Sequence, residues 1–166
     1  GLIRKHPDYY PAVINNQILS GSFGARLFSS IRSKKGLAYD VHGGVGFGWD
    51  YPSTANFSMS TKTETTQAGI DALIEETHKI MKTEPPTDEE VQKAKDGLLN
   101  SFVFSVDSPG KVLGKFLTYE YYGYPSDWDV RFQKSIAAVT TQEVQRAAQQ
   151  HIKPNQFVIL VVGPRK

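Results

Sequence analysis

The chain has 166 residues, a formal net charge of +2 and no cysteine. This length suffices for one domain with a substantial core, and 39% hydrophobic and 22% charged residues are typical of a folded globule. So weak a net charge gives no reason to expect a nucleic-acid partner. No apolar run approaches the roughly 20 residues of a membrane span, and disulfides and thiolate metal sites are excluded.

The chain starts with Gly-Leu-Ile-Arg, without an initiator methionine or a signal-peptide pattern. We therefore expect residues 1–166 to form a single domain that is a piece of a longer protein. No repeat, low-complexity tract or interior linker interrupts it. The compartment stays open, and we expect a soluble protein of the bacterial cytoplasm or periplasm.

The first half of the chain predicts two helices and a β-hairpin. Apolar residues at helical spacing predict a helix over 7–19 and a second, shorter one around 25–31. Gly36 can end the second helix in the left-handed conformation. The hairpin strands are expected over 38–49 and 54–63, where apolar and polar residues alternate.

The second half predicts five helices and a final strand. Helices are expected over 66–83, from residue 88, from residue 109, over 128–136 and over 141–151. Thr87 and Thr140 each precede a glutamate by three residues, which is the pattern of a helix-capping box. The apolar run over 157–162 predicts a buried strand. On the helix that starts at residue 109, the candidate core residues are Val112, Phe116, Leu117 and Tyr119.

This order of elements predicts an α+β fold. Segregated helices and strands favour a mainly antiparallel sheet with helices packed on one face. The sheet is short of strands, however, because the sequence offers only the hairpin and the final run. An open sheet edge is therefore expected.

The stretch over 19–48 has the most distinctive pattern. Arg32 lies near the end of the second helix and Tyr39 at the start of the first hairpin strand, so the two flank one turn. The strand that follows is rich in glycine, which favours a close approach by another backbone. Alternation places one set of residues on the same face: Tyr39, Val41, Gly43, Val45 and Phe47.

Three motifs in this stretch carry a resemblance to a known family. LSG at 19–21, FGARLF at 23–28 and IRSKKGLAY at 31–39 resemble the second, C-terminal domain of the M16 (pitrilysin/insulinase, inverzincin) zinc peptidases. That family includes the mitochondrial processing peptidases and the cytochrome bc1 core proteins. The likeness covers the whole chain and is closest to the M16B, processing-peptidase-like members. Two positions depart from the pattern, since Ser20 stands where the family more often has glycine and Ala25 where it often has serine.

The resemblance implies a LuxS/MPP-like metallohydrolase fold, here a half-domain lacking most of its first strand. It also implies that Arg32 and Tyr39 reach across a cavity to a zinc site on another domain. The Tyr39 hydroxyl would then donate to the scissile carbonyl as it becomes an oxyanion, and Arg32 would hold a neighbouring substrate carbonyl. Gly43 and Gly44 would line the same substrate-binding chamber.

The sequence itself offers no metal site. The family's catalytic half carries His-x-x-Glu-His on a helix, and no pair of the four histidines here has that spacing. His78 is best interpreted as a solvated residue on a helix face. Any zinc is therefore expected on the missing N-terminal half or on a partner subunit, and this chain alone is expected to be inactive. No serine stands beside an evident base-and-orienter pair, so acyl-enzyme chemistry has no support.

Two other functions stay open. In the first, the chain is a structural or assembly subunit like the core proteins, and Arg32 and Tyr39 are incidental. On chemistry alone, Arg32 would pair with a surface carboxylate and Tyr39 would pack by its ring at a strand edge. In the second, the chain is a small-ligand module. That module would use a cluster of aromatic residues: Tyr119, Tyr121, Tyr122, Tyr124 and Trp128.

Overall fold

The computed structural model describes residues 1–164, which form helices and four short strands. The strands are β1 (Leu2–Ile3), β2 (Asp40–Gly44), β3 (Phe47–Gly48) and β4 (Asn56–Ser60). The α-helices are α1 (Tyr9–Ser20), α2 (Thr66–His78), α3 (Asp88–Phe102), α4 (Pro109–Tyr122), α5 (Trp128–Ala138) and α6 (Thr141–His151). Wider π-helical turns span Phe28–Lys34 and Lys79–Thr83, and short 3₁₀ turns span Thr63–Thr65, Val103–Ser105 and Pro154–Gln156.

The strands form two small sheets. β2 and β4 pair antiparallel, with His42 opposite Ser58, whereas β1 and β3 pair in parallel. The predicted mixture of helices and a small amount of sheet is confirmed. The expected single, mainly antiparallel sheet is not seen within residues 1–164, because β1 and β3 are only two residues long and pair with each other.

Helix α1 lies at the centre of the core. It packs against α3, α5, α6 and β2, and its Ile14 and Leu19 are fully shielded from solvent. Val144 and Ala148 of α6 are equally buried and belong to the same cluster. The predicted helix over 7–19 is thus confirmed with a shift of one or two residues, within the usual uncertainty of helix ends.

The strand predicted over 38–49 is divided in two. The side chain of Asn16 takes the place of a strand partner between β2 and β3. Its amide donates to the Val45 carbonyl at 2.8 Å and accepts from the Val45 N–H at 2.9 Å. This pairing satisfies the backbone where the ladder stops. The sequence prediction was wrong here because an asparagine on a helix gives no local sign of such a role.

The buried strand predicted over 157–162 is wrong. Phe157 packs against Phe57 at a ring distance of 5.5 Å, but the residues that follow form no strand. Val158 is 96% and Val162 is 89% exposed. An apolar run becomes a strand only where another strand offers unpaired backbone groups, and none pairs with it among the described residues.

The core residues predicted on α4 are also partly wrong. Tyr119 is buried, whereas Phe116 and Leu117 are 51% and 61% exposed. Helix α4 begins where Ser108 caps the Lys111 N–H and ends in the left-handed Gly123. Its apolar stripe is wider than the surface that the described residues offer it, so only the Tyr119 side is covered.

Both predicted capping boxes form. The Glu90 N–H donates to Thr87 Oγ1, and the Thr87 N–H donates back to the Glu90 carboxylate at 3.0 Å. Thr140 and Glu143 repeat this arrangement at the start of α6. Arg26, from the FGARLF motif, adds a bidentate contact to Glu90 at 2.7 and 2.6 Å. Two-pronged contacts of this kind are strong and directional, so they fix the motif against α3.

A charged contact joins the start of α1 to the end of α6. The buried Asp8 carboxylate accepts from Arg146 at 2.6 Å and from His151 at 2.8 Å. Burial raises the pKa of Asp8, but these hydrogen bonds outweigh it, so the pKa lies below its ordinary value. The contact links two elements that are distant in the sequence.

Replacing Gly43 by alanine should unfold the protein more easily. Gly43 has φ +152°, and a Cβ there would lie 2.5 Å from the Asn56 carbonyl oxygen. We expect the free energy of unfolding, measured in urea, to fall by about 2 kcal/mol. The matched variant Gly114→Ala, in α4, has open space and should be neutral or stabilising. Equal effects at the two positions would contradict the close packing of β2 on β4.

The contacts of Asp8 should make the free energy of unfolding depend on pH. In the folded state the pKa of Asp8 lies below its ordinary value of 3.8. The carboxylate therefore contributes its full stabilisation above pH 3.8, and this stabilisation is lost as the pH falls through the lower pKa of the folded state. Asp8→Asn should therefore cost about 1–2 kcal/mol at neutral pH, and less in acid. The control is Asp127→Asn, which removes an exposed contact with Arg131 and should change little. A cost for Asp8→Asn that does not change with pH would disprove the assignment.

Candidate functional site

A left-handed turn brings Arg32 and Tyr39 together. The π-helical turn over Phe28–Lys34 ends at Gly36, which has φ +64° as predicted. The Gly36 N–H donates to the Arg32 carbonyl at 3.1 Å, and the Leu37 N–H donates to the Ile31 carbonyl at 2.9 Å. These bonds close the helix end and return the chain toward the sheet. Tyr39 is then fixed beside β4, because its backbone N–H donates to the Ser60 carbonyl at 2.8 Å.

The Arg32 guanidinium lies over two aromatic rings. It is 4.4 Å from the ring centre of Phe28 and 5.3 Å from that of Tyr39. Within residues 1–164 the guanidinium forms no ion pair with a carboxylate. The expected pairing of Arg32 with a surface carboxylate is therefore not found among the described residues. Phe28, one helical turn before Arg32, was missed by the sequence analysis, although the spacing of four residues could have indicated it.

Tyr39 is exposed rather than packed. Its side chain is 78% accessible, so the predicted alternation, which placed Tyr39 on the same face as Val41 and Val45, fails at this residue. Val41 and Val45 are buried at 3% and 2% exposure. Tyr39 precedes β2, and the regular alternation starts only inside the strand. Its hydroxyl forms no hydrogen bond with the described residues and is positioned to donate to a ligand.

Gly43 and Gly44 have internal packing roles. A Cβ on Gly44 would lie 2.2 Å from the Asn16 side chain, just as one on Gly43 would meet β4. The Gly43 carbonyl also accepts from Ser20 Oγ at 2.6 Å, so Ser20 of the LSG motif fastens α1 to β2. The expected close approach of another backbone is thus that of β4. That these glycines line a substrate chamber stays a prediction.

The hairpin register brings three further polar side chains together. His42 Nδ1 is 3.1 Å from an Asp40 carboxylate oxygen, and His42 Nε2 is 2.9 Å from Ser58 Oγ. The expectation that no serine lies beside a base and its orienter is therefore wrong, and the cross-strand register of the hairpin could have revealed Ser58. A serine hydrolase also needs an enclosed pocket with oxyanion donors. His42 is 63% exposed on an open strand, so we interpret the trio as a cross-strand polar contact.

One cluster of potential metal ligands occurs among the described residues. His6, Asp8 and His151 place ligand atoms within 4.8 Å of one another. The cluster is already held by hydrogen bonds, since His6 Nδ1 accepts from the Asp8 backbone N–H at 3.0 Å and the Asp8 carboxylate accepts from His151. The Arg146 guanidinium on the same carboxylate further disfavours a cation. The cluster therefore does not fit zinc, while His78 is exposed on its helix as predicted.

Among residues 1–164, no helix combines the length and the apolar character needed to cross a membrane.

Known proteins resemble this chain over most of its length. A crystal structure described as the peptidase M16 inactive domain from Pseudomonas fluorescens superposes with a TM-score of 0.83 at 26% identity, over 94% of this chain and 37% of that one. The Helicobacter pylori protein named "Non-peptidase homolog YmxG" is 26% identical over 90% of this chain. The Bacillus subtilis protein named "Uncharacterized zinc protease YmxG" is 27% identical over 69% of it.

The chain spans only part of these curated relatives, 34% of the first and 28% of the second. The family model described as the peptidase M16 inactive domain matches residues 2–98, which is more than half of the chain. The match includes all three motifs that carry the resemblance. The chain therefore belongs to the M16 peptidase family, as an inactive, C-terminal-type domain.

Proposed function

We propose that this chain is the substrate-binding half of an M16-type zinc peptidase. It contributes Arg32 and Tyr39 to peptide binding but no metal site, and it is inactive alone. The observation that carries the proposal is the adjacency of an exposed phenol and a guanidinium with no carboxylate partner among the described residues. Both are hydrogen-bond donors, and peptide carbonyls are acceptors.

Tyr39 is the group proposed to act on the reacting bond. As the scissile carbonyl is attacked, negative charge develops on its oxygen, and a donor already aimed at that oxygen stabilises the transition state more than the ground state. The exposed hydroxyl at the end of a short, anchored segment suits this role. A single donor of this kind contributes about 3 kcal/mol.

Arg32 is proposed to hold a neighbouring carbonyl of the substrate. Contact with the rings of Phe28 and Tyr39 limits the positions of the guanidinium without occupying its N–H groups. A pre-oriented donor loses less entropy on binding than a free one. Arg32 would therefore lower KM more than it raises kcat.

The water-activating metal would belong to a zinc-bearing M16 domain, either in the same polypeptide or in a partner subunit. The histidine cluster of this chain does not suit zinc, because its Asp8 carboxylate already accepts from His151 and from the positively charged Arg146. The relatives are roughly two and a half times as long as this chain, which leaves room for such a domain.

Tyr39→Phe should lower peptide-cleaving activity of the assembled protein without disturbing its fold. We expect kcat to fall about 100-fold with little change in KM, because the lost bond forms mainly in the transition state. Arg32→Gln should instead raise KM, by about tenfold. Steady-state kinetics of the full-length protein, or of this chain reconstituted with its zinc-bearing partner, measures both.

The control is Tyr121→Phe, which removes a hydroxyl from another tyrosine, 82% exposed on α4. It should leave kcat and KM unchanged. If Tyr39→Phe turns over as fast as the wild type, the role assigned to Tyr39 is wrong.

A second candidate function is a non-catalytic assembly subunit. The specific observation in its favour is that one relative, from Helicobacter pylori, bears a name that describes it as a non-peptidase. On this alternative the full-length protein forms its complex normally but cleaves no peptide with or without added zinc. Replacing Arg32 and Tyr39 would then leave complex formation, measured by sedimentation, unchanged.

A further inference from the structure

A separate cavity lies between α3, α4 and α5. Its volume is about 660 Å³, within the range of small-molecule sites. Neither Arg32 nor Tyr39 lines it, so it is distinct from the proposed peptide site. Much of its wall is aromatic: Tyr9, Trp49, Phe102, Tyr119, Trp128 and Phe132.

Arg4 supplies an unneutralised positive charge to this cavity. Its guanidinium stacks on Trp49 at 4.2 Å from the ring centre and donates from Nη1 to the Tyr9 hydroxyl at 2.7 Å. Its Nε is shielded from solvent and has no hydrogen-bond partner among the described residues. No carboxylate within residues 1–164 pairs with it. Because Nε is shielded, an incoming anion would contact the guanidinium at Nη2 and offset its unpaired charge.

The other charged groups of the wall are already paired. Asp129 accepts from Lys115 at 2.8 Å and from the Tyr119 hydroxyl. Burial and Asp129 raise the pKa of Tyr119, so its hydroxyl stays protonated at neutral pH. Lys111 pairs with Asp107. Both lysines of the wall are thus paired with carboxylates, and the one positive charge of the wall without such a partner among the described residues is that of Arg4, so the wall favours an anion over a cation.

We propose that this cavity binds an aromatic carboxylate. The carboxylate would accept from the free donors of Arg4, and the ring would pack against the aromatic wall. The same chemistry is presented by a small aromatic acid and by the C-terminal residue of a peptide ending in phenylalanine. The proposal does not depend on the function assigned to Arg32 and Tyr39.

The chain has two tryptophans, and both line the cavity. Their fluorescence should therefore report binding to the purified chain directly. Titration with 3-phenylpropanoate should give a saturable change, whereas the uncharged 3-phenylpropanamide should bind at least about tenfold more weakly. A tripeptide ending in phenylalanine with a free carboxylate is tested against its C-terminal amide, and its affinity compared with that of 3-phenylpropanoate shows which of the two sources binds more tightly.

Arg4→Gln should weaken binding of the acid by about tenfold and leave the amide unchanged. The matched variant Arg131→Gln, outside the cavity wall, should bind both as the wild type does. Thermal melting confirms that each variant is folded, and the acid–amide comparison on the wild type stands even if Arg4→Gln does not fold. The proposal is overturned if neither acid binds at about 10 mM, or if acid and amide bind equally.

Discussion

The left-handed turn at Gly36 is the constraint on which the candidate site depends. It ends the π-helical turn, satisfies the terminal carbonyls of Ile31 and Arg32, and directs the chain into β2. Without this turn, the Arg32 guanidinium on the helical segment and the Tyr39 phenol just before β2 would not be adjacent. Side-chain contacts hold the segments around the turn in place. Ser20 and Asn16 join α1 to the backbone at Gly43 and Val45, and Arg26, just before the π-helical turn, contacts α3. The family motifs are therefore largely a set of contacts that support one surface.

Local signals in the sequence were enough to predict most helices. Capping boxes at Thr87 and Thr140 and the stop at Gly36 are short-range effects, and each forms as expected. The failures involve partners that are distant in sequence. Asn16 replaces a strand, Ser58 meets His42 across the hairpin, and the run over 157–162 lacks a pairing strand among the described residues. The spacing of apolar residues indicates which residues could be buried, but not which other part of the chain packs against them.

For the site, the sequence indicated the two residues but not their surroundings. Arg32 and Tyr39 came from the motif, whereas the stacking of Arg32 on Phe28 and the exposure of Tyr39 needed the structure. The cavity at Arg4 shows a different limit. Its aromatic residues come from five separate segments of the chain, and the sequence suggested only part of that cluster. Two functional surfaces, one polar and exposed and one aromatic and cationic, would then share a single small core.

The central claim is that a peptide lies against Tyr39. The most direct measurement replaces Tyr39 by the photo-crosslinking residue p-benzoylphenylalanine in the assembled protein, irradiates it with a substrate peptide, and maps adducts by mass spectrometry. The same replacement at Tyr121 gives the background of random collisions. The account predicts a peptide adduct at position 39 that unlabelled substrate competes away. An adduct yield no higher at position 39 than at position 121 would contradict it.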